Sequence, residues 1–385
     1  VTTTLTVSRT TAGFIDRGHP WVRPDRFTRG LERLRDGEAV TLVDERGKPL
    51  ASALAEPGAE ICARVFHRKP GMAFDPAAAL RRVWDRRAAL HADAATDCYR
   101  VVHGEADFLP GLRVERYGAV LVVVVLAGCI APHLDAVCHT LAELQPGAQI
   151  VIKDHRDDLR RQDVAVRRWG GGAVDPEQVV VVRELGVALE ARPCAGLATG
   201  VYVDQRATRA WLRPQAAGRR VLNLFAYTGA FSASLLAAGA AAATDVDLAA
   251  PSLAVAAANA RLNGVAERHR SVHEDCRRFL TAPGDSFDLV IVDPPTAAQG
   301  GDAWVLRRDY PDLLRLAWTR TAPGGLLVAC CNTLHGKPFP LDEAVTSLAG
   351  VTIETPGPAD DIPPMRGFPE GRPWRLAAAR KGGHP

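Results

Sequence analysis

The chain has 385 residues, 47% hydrophobic and 24% charged, with a formal net charge of +3. That length predicts two or three domains, the balance is that of a globular protein, and so small a net charge does not by itself mark a nucleic-acid binder. Eight cysteines occur without a CxxC pair or Cys/His ligand spacing, which argues against a zinc site, and the longest strongly apolar run, Val120 to Leu126, is far too short to span a bilayer.

The opening residues, VTTTLTVSRTTAG, hold no apolar leader-like run, so a reduced cytoplasmic setting is expected. Residues 1–70 read as short strands with turns. Leu5 to Val7 alternates, Glu38 to Asp44 and Pro49 to Ala55 flank an ERGK turn, and Ile61 to Phe66 closes a small β-barrel module. Residues 71–190 read as an α+β domain. Pro76 to His91 has helical spacing and a basic face, Tyr99 to His103, Leu112 to Arg116 and Val120 to Leu126 read as strands, His133 to Leu144 as a helix and Gln149 to Lys153 as a strand. From 191 to 385 strands and helices alternate: Arg220 to Phe225, Phe231 to Ala238, Ala242 to Val246, Pro251 to Leu262, Asp288 to Val292, Tyr310 to Trp318 and Gly325 to Cys331. Such alternation predicts an α/β domain with a parallel, doubly wound, Rossmann-like sheet.

The chemistry concentrates at the strand ends of this last domain. VLNLFAYTGAFSASLLAAGA is a buried strand, a sharp turn through Tyr227, Thr228 and Gly229, and a helix. A glycine there lets the backbone approach a ligand. GxGxxG is absent, which disfavours a dinucleotide site. The next strand ends in Asp245-Val246-Asp247. Asp247 directly precedes a helix and is placed to accept both hydroxyls of a ribose, while Asp245 reads as structural. Glu274-Asp275-Cys276 follows the third strand and offers Asp275 to an adenine amino group. The fourth strand ends in Asp293-Pro294-Pro295, where two fixed φ angles hold the chain extended beside a planar base.

In this order, the motifs resemble the large-subunit ribosomal RNA methyltransferases with an N-terminal PUA domain, the RlmI-like group. His19-Pro20-Trp21 matches the early HPW, RVVHGEADFLPGLRVER resembles RLIxGExDxLPGxxxDR, and TGVYVDQR resembles TGxxxDQR. The resemblance implies a PUA domain, an α+β domain and a class I methyltransferase that uses S-adenosylmethionine. Phe225, Ala226, Tyr227, Thr228 and Gly229 would line the cofactor site, with Asp247 on the ribose, Asp275 and Cys276 at the adenine, Asp293 beside them, and Gln205 and Arg206 as braces. It also implies RNA as partner, 23S rRNA or a large-subunit precursor, for a monomer or homodimer. Arginine clusters at 23–35, 81–87 and 156–168 suit phosphate, since the guanidinium fork makes paired hydrogen bonds.

One departure bears on the chemistry. Cytosine C5 is a poor nucleophile, and enzymes that methylate it add a cysteine thiolate to C6. In the RlmI-like pattern that cysteine follows the fifth strand. Counting from Gly324-Gly325, its place falls on Asn332, with Cys331 one short and Cys330 two. Either Cys331 is presented by a strand-end shift, although a one-residue slip points a side chain to the opposite face, or the target atom is already nucleophilic. Guanine N7 fits the second reading, which is preferred. Thr296, Arg308-Asp309 and Asn332 resemble a guanine-N7 group locally. The rival readings are a catalytically silent, cofactor-binding assembly factor and a small-molecule or protein methyltransferase on the same fold.

Overall fold

Turn chemistry sets the first sheet: Asp44 accepts hydrogen bonds from the backbone N–H groups of Arg46 and Lys48 at 2.9 and 2.8 Å and folds the chain back on itself. The computed structural model describes residues 3–156, 164–196, 198–296, 304–332, 338–372 and 374–383. Part of the third arginine cluster, residues 157–163, thus lies outside the described residues. Strands β1 (Thr4–Thr6), β2 (Trp21–Val22), β3 (Ala39–Val43), β4 (Pro49–Ala55) and β5 (Ala63–His67) form a five-stranded sheet in the order β1-β3-β4-β5-β2, with β1 parallel to β3. The sequence reading of this segment as strands and turns passes over a helix, α1 (Arg9–Asp16). Ser8 caps it, its hydroxyl accepting from Thr11 N at 3.2 Å, and Ala12 and Ile15 bury one face. Eight residues with two β-branched threonines give too short and weak a period to read.

The next elements are α2 (Pro76–Arg86), α3 (Ala88–Ala92), β6 (Cys98–His103), β7 (Leu112–Tyr117), β8 (Val120–Val125), α4 (Leu134–Leu144), β9 (Gln149–Asp154) and β10 (Ala165–Arg168), with sheet order β10-β9-β8-β7-β6. The helix expected over Pro76 to His91 is two helices. Arg87 sits at the break, almost fully buried, and its Nη2 donates to Asp107 Oδ2 at 2.7 Å. One sheet face packs on α2 and α4 through Leu80, Val83, Val137 and Leu141. The other face carries the alternate, polar set Arg113, Glu115 and Tyr117.

These two sheets belong to one compact unit, built from residues 1–180, 192–199 and 359–371. Glu105 accepts from Trp21 Nε1 and from Arg64 Nη1, both at 2.9 Å. Residues 359–371 complete the unit. The buried Asp361 accepts from Arg100 N at 2.9 Å, Gly371 O lies 2.9 Å from His103 Nε2, and the Phe368 ring meets Trp21 edge-on at 4.7 Å.

The second unit comprises residues 181–191, 200–358 and 372–385. A hairpin, β11 (Val180–Glu184) and β12 (Val187–Ala191), precedes α5 (Arg206–Leu212), β13 (Arg220–Leu224), α6 (Ala230–Ala237), β14 (Ala242–Asp247), α7 (Ala250–Leu262), β15 (His269–His273), α8 (Cys276–Thr281), β16 (Phe287–Val292), α9 (Leu306–Thr319), β17 (Thr321–Asn332), α10 (Leu341–Thr346), β18 (Val351–Ile353) and β19 (Trp374–Arg380). The sheet order is β15-β14-β13-β16-β17-β19-β18. The first five strands are parallel, and β19 inserts antiparallel to both β17 and β18. Helices cover both faces: Leu313 and Leu314 of α9 pack on one, Leu235 and Leu236 of α6 on the other. This is the doubly wound α/β sheet expected from the alternation, and it puts the carboxyl ends of β13, β14, β16 and β17 side by side. Among the described residues no helix is long and apolar enough to cross a membrane.

Candidate active site

The loop after β13 is backbone under strain. Phe225 and Tyr227 adopt positive φ of 56° and 50°, and Gly229 follows at 68°. Each non-glycine left-handed residue costs on the order of 1–3 kcal/mol and persists only where its surroundings hold it. They do. Phe225 N donates to Cys276 Sγ (3.4 Å), Ala226 N to Val246 O (3.2 Å) and Tyr227 N to Asp247 Oδ2 (2.8 Å). Gly200 N donates to the Tyr227 hydroxyl at 2.9 Å, the Thr228 hydroxyl donates to Gly200 O, and Asn259 Nδ2 donates to Thr228 O at 2.8 Å. Gly229 admits no side chain, since a Cβ there would lie 2.6 Å from Asp245 Oδ2 and 2.7 Å from Ala256 Cβ.

The two carboxylates of β14 divide their work. Asp245 is fully buried, bonded to Asn223 Nδ2 at 2.9 Å, to the Ser232 hydroxyl and to His269 Nε2 at 2.8 Å. It is the structural member of the pair. Asp247 is half-buried and reaches the strained loop. Its second oxygen accepts from Ala249 N at 2.8 Å. Each carboxylate oxygen has two lone pairs, so one per oxygen is left for a ligand hydroxyl. Asp275, half-buried, caps α8, its Oδ1 accepting from Arg277 N (2.9 Å) and Arg278 N (3.1 Å). Cys276 beside it is buried under the loop, and burial pushes its thiol up to about 12.

At the end of β16, Asp293 is half-buried and takes Gln205 Nε2 at 3.3 Å; Gln205 is itself fixed by the Thr208 hydroxyl at 2.7 Å. Burial, then the nearby charge of Asp204, push the Asp293 carboxyl up to about 7 against the opposing pull of Arg209 and Gln205. Arg206 begins α5 next to Gln205, half-buried. Pro294 is buried and Pro295 exposed, and Trp304 Nε1 donates to Pro295 O at 2.6 Å. The Tyr310 hydroxyl lies 3.0 Å from Val292 O and 2.5 Å from Cys330 O, tying β16 to β17.

Strand alternation separates the residues at the end of β17. Cys331 packs in the core with Trp304, Tyr310 and Phe339, while Cys330 packs in the opposite core with Leu326 and Val328. Both thiols are buried; burial pushes Cys331 up to about 11 and Cys330 up as well. Asn332 is exposed at the strand terminus. Thr333 lies outside the described residues. Asp309 holds the first turn of α9, accepting from Val305 N at 2.8 Å, and Arg308 holds its carboxyl down to about 2.

Sequence reasoning missed the bidentate pair behind Gln205. Arg209 Nε and Nη2 meet the two Glu184 oxygens at 2.5 and 2.7 Å, both side chains only 2% exposed, and Nη2 also donates to Tyr202 O at 2.8 Å. Nothing in the spacing of two residues 25 apart announces it.

A family model described as S-adenosylmethionine-dependent methyltransferase matches residues 100–368, and a PUA-like domain matches residues 5–68. The chain is 35% identical to a ribosomal RNA large subunit methyltransferase of Deinococcus radiodurans, over 89% of this chain and 88% of that one. It is 32% identical to ribosomal RNA large subunit methyltransferase I of Klebsiella pneumoniae, over 92% of each. In fold it is similar to a methyltransferase solved with SAH (TM-score 0.84, 21% identity, 98% of this chain and 100% of that one). A SAM-dependent methyltransferase from Streptococcus mutans aligns comparably (TM-score 0.81, 20% identity, 98% and 100%). Sheet order, the braced loop after β13 and these matches agree: the chain belongs to the S-adenosylmethionine-dependent methyltransferases.

Proposed function

We propose that this enzyme methylates 23S ribosomal RNA, or a large-subunit precursor, in the cytoplasm, and that the acceptor is N7 of guanine. The names of the relatives support the RNA class, and the PUA-like match supports RNA docking by residues 1–70, ahead of a central domain at 71–190 and a catalytic domain at 191–385. S-adenosylmethionine supplies a methyl group made electrophilic by its sulfonium sulfur. The residues fit that cofactor: Asp247 keeps a lone pair on each oxygen for the ribose, Asp275 with Cys276 borders the adenine, and Phe225 to Gly229 form the wall between. Gln205, which donates to Asp293, and Arg206 beside it would brace the cofactor from the preceding loop.

The end of β17 carries the choice of atom. Asn332 is exposed there, and Cys330 and Cys331 are buried on opposite faces. A thiol pushed up to about 11 is ionised at only about one part in 10⁴ at pH 7. Cytosine C5 requires that thiolate. Guanine N7 carries an in-plane lone pair and no proton to remove, so alignment and exclusion of water suffice. Asn332 holds the base edge through its amide, and Asp293-Pro294-Pro295 keeps the base in plane. Incubating the enzyme with cofactor and a 23S rRNA fragment, then analysing nucleosides by mass spectrometry, is expected to give 7-methylguanosine. 5-Methylcytidine as the product would overturn the assignment and restore Cys331 as nucleophile.

A further inference from the structure

The segment from Gly200 to Gln205, the core of the TGVYVDQR motif, joins the strained turn after β13 to the end of β16. At one end Gly200 is clasped by the turn: its N–H donates to the Tyr227 hydroxyl at 2.9 Å, and its carbonyl accepts from the Thr228 hydroxyl. At the other end Gln205 Nε2 reaches Asp293 Oδ2 at 3.3 Å, and the Asp204 charge bears on the same carboxyl. Between these ends the backbone is fixed. Tyr202 O accepts from Arg209 Nη2 at 2.8 Å and from Gln205 N at 3.3 Å, Asp204 O accepts from Trp374 Nε1 at 2.6 Å, and Val201 and Val203 are buried.

This fixed backbone presents one aromatic ring to solvent. Tyr202 is 53% exposed, and the Tyr227 ring lies 5.3 Å from it at an angle of 39°. A single exposed aromatic on an ordinary surface needs no explanation. Tyr202 differs because its carbonyl is held by Arg209 of the buried pair with Glu184, so the ring is already placed and has only two χ angles left to order. Its side of the sheet also matters. Asp247 and Asp275 follow β14 and β15 on one side of β13, whereas β16 and Asp293 lie on the other. The segment that carries Tyr202 thus ends on the side read above as the place of the acceptor base.

A base in folded RNA is stacked on its neighbours, and its reacting atom lines up with the cofactor's methyl group only after the base has left that stack. The stacking it loses has to be replaced in the site, and an aromatic face does this for any base. Asn332 and Asp293-Pro294-Pro295, the groups assigned to the base above, supply an amide and a turn but no aromatic face. We propose that Tyr202 is the platform on which the base to be methylated stacks once it has left the RNA stack. The proposal rests on the reading of RNA as the substrate, not on which atom of the base receives the methyl group.

The test measures kcat/KM of the full-length enzyme on 23S rRNA beside the Kd of S-adenosylhomocysteine by calorimetry. Tyr202→Ala is expected to lower kcat/KM by about 5- to 150-fold, the worth of one base stack, and to leave Kd unchanged. Tyr202→Phe keeps the ring and is expected to match the wild type. Tyr202→Leu fills similar space without a π face and is expected to behave as the alanine variant does. If leucine restores the rate as well as phenylalanine, the ring only packs and the platform is wrong. If Tyr202→Ala weakens S-adenosylhomocysteine by the same factor as it lowers kcat/KM, the ring is a wall of the cofactor site, which also overturns the proposal. Wild-type kcat/KM in Tyr202→Ala overturns the platform and leaves the RNA reading standing. A wild-type enzyme that binds S-adenosylhomocysteine but methylates neither 23S rRNA nor large-subunit precursor particles overturns the RNA reading and the platform with it.

Discussion

Asp247→Ala removes one carboxylate that has two duties, and the two can be separated. In the structure its oxygens accept from Tyr227 N and Ala249 N, both at 2.8 Å, so the side chain holds a loop residue at φ 50° in addition to the ribose contact proposed for it. Losing a charged acceptor for a ribose hydroxyl costs about 1.5–3 kcal/mol. That converts to roughly a ten- to hundredfold rise in Kd for S-adenosylmethionine. Isothermal titration calorimetry reads it directly, with the thermal midpoint checked alongside. The discriminating arm uses S-adenosylhomocysteine and its 2′,3′-dideoxy analogue in a cycle with the variant. If Asp247 binds the ribose, the penalty of the variant nearly vanishes for the dideoxy ligand. A penalty of equal size for both ligands would show that the carboxylate only shapes the loop, and an unchanged Kd for both would refute any part in binding.

Further expectations concern the chemistry and the core. The double variant Cys330→Ser, Cys331→Ser should retain methylation at normal cofactor affinity, whereas Asn332→Ala should slow it by about 10²-fold through misplacement of the base; a folded but inactive double-serine protein would contradict the thiol-free route. Arg209→Leu strands the buried Glu184 carboxylate and should lower unfolding free energy in urea by about 3–5 kcal/mol, with a loss under 1 kcal/mol counting against the pair. Asp293 has a raised carboxyl, so between about pH 4 and 7 the folded protein keeps a proton the unfolded chain has lost, and stability falls as pH rises through that window. Asp293→Asn should therefore gain thermal midpoint relative to the wild type between pH 5 and pH 8, and parallel midpoints at both would show the group to be unshifted.

Much of the fold was legible because buried parallel strands read as apolar runs closed by polar or proline punctuation. β13, β14 and β16 are of this kind, and Asp247, Asp275 and Asp293 stand at or just past strand ends, where the sequence reading put them. Several strands resist such reading, β19 and β15 among them. β19 is WRLAAAR, whose alanines, leucine and arginines favour a helix. It is a strand because β17 and β18 flank it and the core buries its alanines, a tertiary override of propensity. β15, HRSVH, is a polar edge strand with little burial to mark it. At the site, the order of acidic residues was visible, but the positive φ angles of Phe225 and Tyr227 were not, since neither residue type prefers that region. The opposite facing of Cys330 and Cys331 follows from strand alternation once β17 is known to run through both.

The division of the chain has a consequence for the order in which the protein is made. The first unit lacks residues 359–371 until the stretch that separates them from residue 180 has been made, yet those residues carry Asp361, Phe368 and Gly371, which meet Arg100, Trp21 and His103. Synthesis of the intervening stretch, from residue 180 to 371, takes roughly 10–40 s at ordinary ribosomal rates. Throughout that interval the Arg100 amide and the Trp21 ring await partners not yet translated. The sheets of residues 1–180 thus wait for a segment made much later, and the methyltransferase sheet waits longer still, because β19, which inserts between β17 and β18, is translated after residue 371.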